Sequence, residues 1–294
     1  MSRPLDSPQK QKDHVLKNFN AAANVYDTIA VLQKTVAQQL LDRLNLIRIA
    51  PARILDLGSG TGVGARLLNR QFRKAGIVQL DFARHMLARA VTHDRRLFSR
   101  QSFVCGDAQY LPFASGCFDM TYSNLMLQWC NDLDAVLNEV RRVSRPGSLF
   151  IFSSFGPDTL YELRDSWSTV DDRPHVNTFL DMHHVGDALV RAGFENPVME
   201  VEYFTLTYAD VASLFRELKH LGAGNTNNGR RHTLTGKDRL KQVFDAYEKF
   251  RADNRIPATY EVVYGHAWSR SGGQMHNNGI YTVPVTTIKR RDNE

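Results

Sequence analysis

The feature that most restricts the fold is a short apolar run that ends in a cluster of glycines and leads directly into a helical pattern. Residues 53–57, RILDL, have the composition of a buried strand, and the following GVGARLLNRQF has helical spacing. Glycines at such a junction let the backbone turn tightly and let a ligand approach without meeting a β-carbon. The junction therefore predicts an α/β fold with a binding site where its first strand ends.

The alternation of strand and helix continues along the chain. Helical patterns lie between most of the later strands, and Pro146 and Gly147 are predicted to end one helix before the next strand begins. Strands that alternate with helices and are apolar on both faces favour a mostly parallel sheet covered by helices on both sides. The further strands are predicted at 77–81, 102–107, 117–123, 148–155, 198–206 and 259–268.

A chain of 294 residues is long enough for one large α/β domain. We predict a single domain over 1–268, with a helical cap at 1–50, a cofactor-binding core at 51–155 and a substrate-side half at 156–268 that carries a helical insertion. The remaining residues, 269–294, are expected to form a flexible tail without an assigned function.

Charge and cysteine content restrict the partners and the compartment. The net charge of +6 indicates an acidic partner, but no zinc spacing or helix-turn-helix pattern points to nucleic acid or to a metal. No run approaches the about 18–20 apolar residues of a membrane helix, and the start lacks the features of a secretory signal. Cys105, Cys117 and Cys130 form no CxxC pair, which is typical of the reducing cytoplasm. We therefore expect a cytoplasmic protein without membrane contact.

The glycine loop LDLGSGTGVGA fits two nucleotide-binding patterns. Gly60-x-Gly62-x-x-Ala65 satisfies the dinucleotide pattern, which seats a pyrophosphate on a helix N-terminus. Asp56-x-Gly58-x-Gly60-x-Gly62 is an acidic glycine loop, and it resembles motif I of S-adenosylmethionine-dependent methyltransferases. A glycine turn that binds nothing is the third alternative.

Three acidic residues favour the methyltransferase pattern. Asp56 repels a pyrophosphate but suits the ammonium group of a methionine, and Asp81 ends the second strand, where it can accept from both ribose hydroxyls. The segment GDAQYLPF resembles the methyltransferase segment whose aspartate contacts the adenine amino group and whose next amide contacts the ring; Asp107 and Ala108 occupy those places. With S-adenosylmethionine as the cofactor, the predicted binding residues are Asp56, Gly58, Ser59, Gly60, Gly62, Asp81, Phe82, Asp107, Ala108 and Asn124.

The segment FDMTYSNLMLQW extends the resemblance to the fourth strand, which in this superfamily ends beside the transferred methyl group. Asn124 and Gln128 are its polar candidates for contacts with substrate or cofactor. The alternative is that both amides only cap the structure that follows the strand.

Methyl transfer from a sulfonium is an in-line displacement, which requires alignment of the nucleophile at about 3–3.5 Å. An alcohol or phenol acceptor needs a general base. A carboxylate, with a pKa of about 4, needs none at neutral pH, but it needs hydrogen-bonding or cationic groups that hold one oxygen and leave the other free. We therefore predict no catalytic acid or base if the acceptor is a carboxylate.

Several longer segments are more specific than the glycine loop. NFNAAANVYD, SNLMLQW, DDRPHVNTFLD, LKHLGAGNTNNGRR and YEVVYGHAW occur in this order, and together they resemble the malonyl-[acyl-carrier protein] O-methyltransferase family of biotin synthesis over about residues 14–268. The resemblance implies a Rossmann-like class I methyltransferase fold with a seven-stranded sheet. It also implies methylation of the free carboxylate of a malonyl group on the phosphopantetheine of an acyl-carrier protein. Ser59 departs from the family, in which many members carry cysteine there.

The resemblance assigns the substrate pocket. Tyr26 and Phe179 match positions that are expected to shape the malonyl pocket. Arg173 and His175, in the polar segment DDRPHVNTF, are further candidates for the carboxylate or the thioester. The alternatives are a salt bridge from Arg173 to a neighbouring aspartate, a backbone hydrogen bond for His175 and a core position for Tyr26.

Acyl-carrier proteins are acidic, so basic residues are expected around the pocket mouth. Arginines 141, 142 and 145 form a second group, for which an ordinary solvated face is the alternative. The predicted docking residues are Arg230, Arg231, Lys237 and Arg239.

Three other functions compete with this interpretation. FGPDTLYELR and PATYEVVYGHAW also resemble a mitochondrial complex I assembly factor that is associated with modification of a protein arginine. The absence of an Arg-rich amphipathic presequence and the complete DDRPHVNTF segment favour the carboxyl methyltransferase. A methyltransferase for a free small acid and a non-catalytic cofactor-binding scaffold are the remaining alternatives.

Overall fold

The apolar runs of the sequence form a seven-stranded sheet in a computed structural model, which describes residues 8–94, 99–225 and 236–270. Along the sheet the strand order is β3-β2-β1-β4-β5-β7-β6. Neighbouring strands are parallel from β3 to β5, whereas β7 is antiparallel to both β5 and β6. The strands are β1 (Arg53–Leu57), β2 (Gly76–Asp81), β3 (Gln101–Cys105), β4 (Phe118–Asn124), β5 (Ser144–Phe155), β6 (Phe194–Tyr208) and β7 (Ile256–Ser269).

Ten α-helices of the described residues surround this sheet, and two 3-10 turns, Leu127–Trp129 and Glu248–Phe250, follow β4 and the last helix. None of the described helices combines the length and apolar character that crossing a lipid bilayer requires. The helices are α1 (Pro8–Ala22), α2 (Tyr26–Ile29), α3 (Val31–Leu44), α4 (Val63–Gln71), α5 (Arg84–His93), α6 (Leu133–Val143), α7 (Tyr161–Ser168), α8 (Met182–Arg191), α9 (Val211–His220) and α10 (Lys237–Tyr247).

Side chains of β1 enter two separate cores because successive residues of a strand point to opposite faces. Ile54 packs in a core with α3 and α4, whereas Leu55 and Leu57 pack with α6 and α8 on the other face. All three side chains are fully buried, and each contributes about 1.5–3 kcal/mol to folding by leaving water. The prediction of a mostly parallel sheet covered on both faces is confirmed.

Several predicted boundaries are wrong by a few residues. Strand β5 begins at Ser144, directly after α6, so Pro146 and Gly147 lie inside the strand instead of before it. The pairing with β4 shifts at this point, and Gly147 has a φ of 75°, so the proline and glycine occupy an irregular stretch that needs no regular ladder hydrogen bonds. Strands β6 and β7 are also longer than predicted, because they pair with each other along nearly their whole length.

The parallel strands bring four chain segments to one edge of the sheet. The carboxyl ends of β1, β2, β3 and β4 lie there, and in open α/β sheets ligands bind at this edge, next to the point where the strand order reverses. Helices α1 to α3 precede the first strand, and residues of all three reach the same edge. The predicted helical cap is therefore present. The division into three sub-regions stays a prediction, and residues 271–294 of the predicted tail lie outside the described residues.

Candidate active site

The glycine loop after β1 is held against the end of β2. The amides of Gly58 and Ser59 donate to the carbonyl of Leu80 at 2.8 and 3.0 Å. Gly58, Gly60 and Gly62 have φ values of 74°, 54° and 80°, which explains why glycine occupies these positions. Gly58 and Gly60 line a cavity, while Ser59 and Gly62 do not.

The cavity occupies about 970 Å³ up to its mouth and lies along the carboxyl ends of β3, β2, β1 and β4. This volume is in the range of ordinary ligand sites. Of the residues that the sequence predicts for substrate or cofactor, those that line it are Tyr26, Gly58, Gly60, Asp81, Phe82, Asp107, Ala108 and Asn124.

Asp81, the last residue of β2, presents a buried carboxylate to this cavity. Its Oδ2 accepts from the amide of Gly60 at 2.8 Å and its Oδ1 from the amide of Ala83 at 2.7 Å. Burial outweighs these two hydrogen bonds and raises the pKa of Asp81 to about 6. The carboxylate therefore fixes the glycine loop and has lone pairs left for a ligand.

Asp56 lies beneath the loop instead of on the cavity wall. The amide of Ala65, in the first turn of α4, hydrogen-bonds its carboxylate, and Oδ2 has no partner among the described residues. Burial raises the pKa of Asp56 to about 7, and the charge of Asp81 adds to this effect. The geometry suits an anchor between β1 and α4, and the predicted contact of Asp56 with a methionine ammonium group stays a prediction.

Asp107 lies beyond β3 at the other end of the cavity, where it is bound by a residue that the sequence analysis missed. Lys12 of α1 forms an ion pair with Asp107 Oδ2 and donates to Gln109 Oε1 at 2.8 Å. Asp107 Oδ1 accepts from the amide of Gln109 at 3.0 Å. The basic N-terminal stretch was visible in the sequence, but nothing in it pointed to this partner.

Aromatic residues from the N-terminal helices cover the cavity. The ring of Phe19, in α1, makes edge contacts with Trp129 at 5.2 Å and with Phe82 at 6.4 Å. Tyr26 lines the cavity from α2, and burial raises the pKa of its phenol above its usual range, with Asp81 and Asp27 adding to the rise. The phenol therefore stays protonated at neutral pH and acts as a hydrogen-bond donor.

Two hydrogen bonds connect α2 to the cofactor loop and to α5. Thr61 Oγ1 donates to Asp27 Oδ1 at 2.5 Å, and His93 Nε2 lies 3.0 Å from Asp27 Oδ2. Thr61 is buried within the glycine loop. Asp27 thus ties the segment that carries Tyr26 to the loop after β1, a link that sequence spacing does not reveal.

The polar segment DDRPHVNTF packs mostly against its own neighbourhood. His175 Nε2 is 2.8 Å from Asp171 Oδ1, and its ring stacks on Trp167 with 3.5 Å between the ring centroids. Arg173 is exposed, and neither Arg173 nor His175 lines the cavity. A substrate contact for either residue stays a prediction.

Phe179, at the end of that segment, lies behind the cavity wall. Its ring contacts Phe155 at 5.6 Å, and Phe155 lines the cavity. Its predicted influence on the pocket is therefore indirect in this geometry, through the packing of Phe155.

The predicted docking residues divide into three groups. Lys237 and Arg239 are exposed in the first turn of α10, and Arg239 Nη1 is 3.6 Å from Asp171 Oδ2. Arg230 and Arg231 lie outside the described residues.

The second arginine group has structural contacts. Arg142 donates to the carbonyls of Leu111 and Phe113 at 2.9 and 2.7 Å and pairs with Glu139, which lowers the pKa of that glutamate. Arg145 pairs with Asp119 at 2.6 Å. These contacts tie α6 and β5 to neighbouring segments, which supports the alternative of an ordinary surface over a docking role.

Comparison with known proteins places this geometry in a family. Residues 55–152 match a methyltransferase domain family. The malonyl-[acyl-carrier protein] O-methyltransferase of Laribacter hongkongensis is 49% identical over 264 residues, which cover 87% of this chain and 89% of that protein. The chain belongs to the malonyl-[acyl-carrier protein] O-methyltransferase family. The predicted resemblance is confirmed, and a methyltransferase that uses S-adenosylmethionine is the enzyme class.

Other members of this methyltransferase family extend the match. The relative from Gallionella capsiferriformans is 49% identical, with 85% of this chain and 88% of that protein covered. The relative from Halorhodospira halophila is 43% identical, with 98% of this chain and 99% of that protein covered. This last match includes much of the segment after Trp268, for which the sequence analysis found no function.

Solved structures agree on the fold alone. The YcgJ protein of Bacillus subtilis has a TM-score of 0.56 at 16% identity, with 80% of this chain and 99% of that chain covered. The [4+2]-cyclase SpnF has a TM-score of 0.52 at 21% identity, with 81% and 82% covered. Since one of these proteins is a cyclase, the fold by itself does not determine the reaction.

Proposed function

We propose that this chain transfers a methyl group from S-adenosylmethionine to the free carboxylate of a malonyl thioester on acyl-carrier protein. The product is the malonyl methyl ester that starts the pimeloyl part of biotin. The observation that carries the proposal is the cavity, which follows the carboxyl ends of β3, β2 and β1 and continues past β4 beneath Tyr26, in a chain of this family.

The cavity residues fit the cofactor. A β-carbon on Gly60 would meet no atom within 4 Å, so the backbone there is open to a ligand. Asp81 is two strands away from Asp107's end of the cavity in sequence order, but β2 and β3 are direct neighbours, so both carboxylates face one continuous space. S-adenosylmethionine supplies a methyl group that is already activated by its positive sulfur.

Each part of the cofactor has a proposed partner on this chain. The Asp81 carboxylate accepts from the ribose hydroxyls, and Asp107 with the amide of Ala108 contacts the adenine ring. Backbone groups of Gly58 and Gly60 hold the methionine portion. Lys12 and Gln109 each use one oxygen of Asp107, and a carboxylate with about four lone-pair sites can still accept the adenine amino group.

The acceptor is proposed to react without a general base. Among the described residues that line the cavity none is a histidine, and the raised pKa of Tyr26 keeps its phenol protonated. A carboxylate nucleophile is already ionised at neutral pH, so this lining suits a malonyl acceptor better than an alcohol.

Carrier-protein binding and compartment are the finer parts of the proposal. Exposed Lys237 and Arg239 offer positive charge to an acidic carrier protein. The free thiols of Cys105, Cys117 and Cys130 are consistent with a reducing cytoplasm. We expect binding neither to nucleic acid nor to membranes.

Labelled S-adenosylmethionine tests the reaction. The purified protein is incubated with malonyl-carrier protein, with butyryl-carrier protein as the matched acceptor that lacks a carboxylate, with free malonate and with an arginine peptide. We expect label in a base-labile ester on the malonyl-carrier protein alone. Label in the peptide or in free malonate would support the competing functions, and no label with intact cofactor binding would support a scaffold.

A further inference from the structure

Three amide side chains line the cavity near the end of β4, and two of them are fully used by the protein. Asn124 Nδ2 donates to the backbone carbonyl of Gln33 at 3.1 Å, and its Oδ1 accepts from Ser153 Oγ at 2.8 Å. Both ends of this amide therefore hold β4 against α3 and β5. A ligand that bound Asn124 would compete with these bonds.

Gln128 is engaged in the same way. Its Nε2 donates to the carbonyl of Leu125 at 2.7 Å, and its Oε1 accepts from Ser154 Oγ at 3.3 Å. The two amides that the sequence analysis selected are thus structural ties in this geometry.

Gln33, in the first turn of α3, is the third amide. It lines the cavity, and its Oε1 is buried without a hydrogen-bond partner in the structure. Buried polar groups in native proteins are nearly always paired, and an unpaired one next to a binding cavity indicates a partner that is supplied by the ligand. Because a half-turn of the amide exchanges its oxygen and nitrogen, the buried end can present either an acceptor or a donor.

The position of Gln33 selects the substrate side of the cavity. Along the sheet the strand order places the end of β3 with Asp107 first, then β2 with Asp81, then β1 with the glycine loop, and then β4. The hydrogen bond from Asn124 fixes Gln33 above the end of β4. Gln33 therefore lies beyond the residues proposed to hold the cofactor, next to the place where the acceptor must enter.

We propose that the amide of Gln33 donates a hydrogen bond to one oxygen of the malonyl carboxylate and leaves the other oxygen free to react; this assignment rests on the function proposed above. The free oxygen forms the new bond to the methyl carbon with its own electron pair. The sulfur–carbon bond breaks with its pair passing to sulfur, so that a neutral ester and a neutral thioether result and no proton moves.

A neutral donor suits this reaction better than a cation. The carboxylate loses its negative charge as the new bond forms, so a cation beside it would stabilise the starting state more than the transition state and would slow the transfer. Lys12 is the cation among the described lining residues, and it pairs with Asp107 at the opposite end of the cavity. Arg173 is exposed outside the cavity.

Gln33→Met tests the assignment by removing the amide while keeping side-chain length. We expect kcat/KM for malonyl-carrier protein to fall about 10- to 100-fold, because a hydrogen bond to a charged group is lost. Affinity for S-adenosylmethionine, measured by calorimetry, should change by no more than about twofold, which also shows that the variant is folded. The matched control is Gln38→Met on the exposed face of the same helix, where Gln38 contacts Asp42, and it should behave as wild type.

Gln33→Glu provides a second test at nearly constant shape. Its carboxylate repels the substrate, so kcat/KM should fall further than in Gln33→Met. Near-wild-type turnover in either Gln33 variant, with cofactor binding intact, would overturn the assignment.

Direct binding separates this assignment from the proposed function. Affinity for malonyl-carrier protein is measured with S-adenosylhomocysteine bound, so no turnover is required. If wild type binds the malonyl carrier but transfers no methyl group, the proposed reaction fails, and the Gln33 assignment stands only if Gln33→Met binds at least about tenfold more weakly. Equal binding by wild type and Gln33→Met overturns the assignment whatever the activity.

Discussion

Gly60 and Gly116 have the same backbone requirement in different surroundings. Their φ values are 54° and 62°, and a β-carbon on either would meet no atom within 4 Å. Gly60 lines the cavity and Gly116 does not. At the scale of single residues, this pair separates the conformational role of a glycine from its role in admitting a ligand.

Gly60→Ala and Gly116→Ala should each lower the free energy of unfolding by about 1 kcal/mol, because alanine is strained at positive φ. Gly60→Ala should in addition weaken S-adenosylmethionine binding at least about tenfold, because its methyl group projects into the ligand space. Urea denaturation and calorimetry measure the two effects. Equal cofactor affinity in both variants would show that the ligand does not approach Gly60.

The raised pKa of Asp81 predicts a pH dependence of cofactor binding. Burial places this pKa at about 6, and the carboxylate form is the one that can accept from both ribose hydroxyls. As the pH falls through 6 the free protein becomes protonated there, so affinity should be about tenfold weaker at pH 5 than at neutral pH. Calorimetry between pH 5 and pH 8 measures this. Asp81→Asn should bind weakly without that dependence, and a pH-independent wild type would argue against the contact.

At the scale of elements, the short helix α2 depends on Asp27. Through Thr61 and His93 this carboxylate joins α2 to the glycine loop and to α5. Without these bonds, only packing holds the segment that carries Tyr26 over the cavity.

Asp27→Ala should therefore lower the free energy of unfolding by about 1–3 kcal/mol and speed amide hydrogen exchange in α1 and α2. Affinity for S-adenosylmethionine should fall as well, because Thr61 belongs to the loop after β1. Asp42→Ala is the control, since Asp42 accepts from Gln38 on the exposed face of α3. Unchanged exchange in α1 and α2 of Asp27→Ala would contradict the proposed link.

Elements also differ in how well the sequence predicts them. Helices α4, α5 and α6 and strands β1 and β2 lie within a residue or two of their predicted places, because local periodicity determines them. The start of β5 was missed since Pro146 and Gly147 are ordinary signals of a turn, and here pairing with β4 continues around them with a shift. Long-range pairing overrides such local signals.

At the scale of the whole molecule, the net charge of +6 predicts electrostatic docking of an acidic carrier. Lys237→Glu should raise the KM for malonyl-carrier protein about two- to fivefold at low salt, with the difference shrinking as salt is added. Affinity for S-adenosylmethionine should not change.

Lys74→Glu is the matched control for docking. Lys74 is exposed in the turn before β2, at the amino ends of the strands and thus at the sheet edge opposite the cavity. It makes the same charge change at a site that the carrier protein does not reach. An equal rise in KM for both variants would show a general charge effect instead of docking at α10.

The sequence by itself determined the fold class and the positions of the acidic residues along one edge of the sheet. Asp81 follows an apolar run and Asp107 follows the next, and parallel strands necessarily bring their carboxyl ends together. The glycine spacing determined where the chain turns between β1 and α4. These features depend on residues that are close in the sequence, so pattern alone was enough.

Only the tertiary structure decided which other polar groups face the cavity. Lys12 contacts Asp107 across 95 residues, and the Gln33 backbone meets Asn124 across 91. Helical periodicity identifies an apolar face, but it does not tell which distant element that face meets. Packing also decided that the amides of Asn124 and Gln128 are already used, whereas that of Gln33 is left for a ligand.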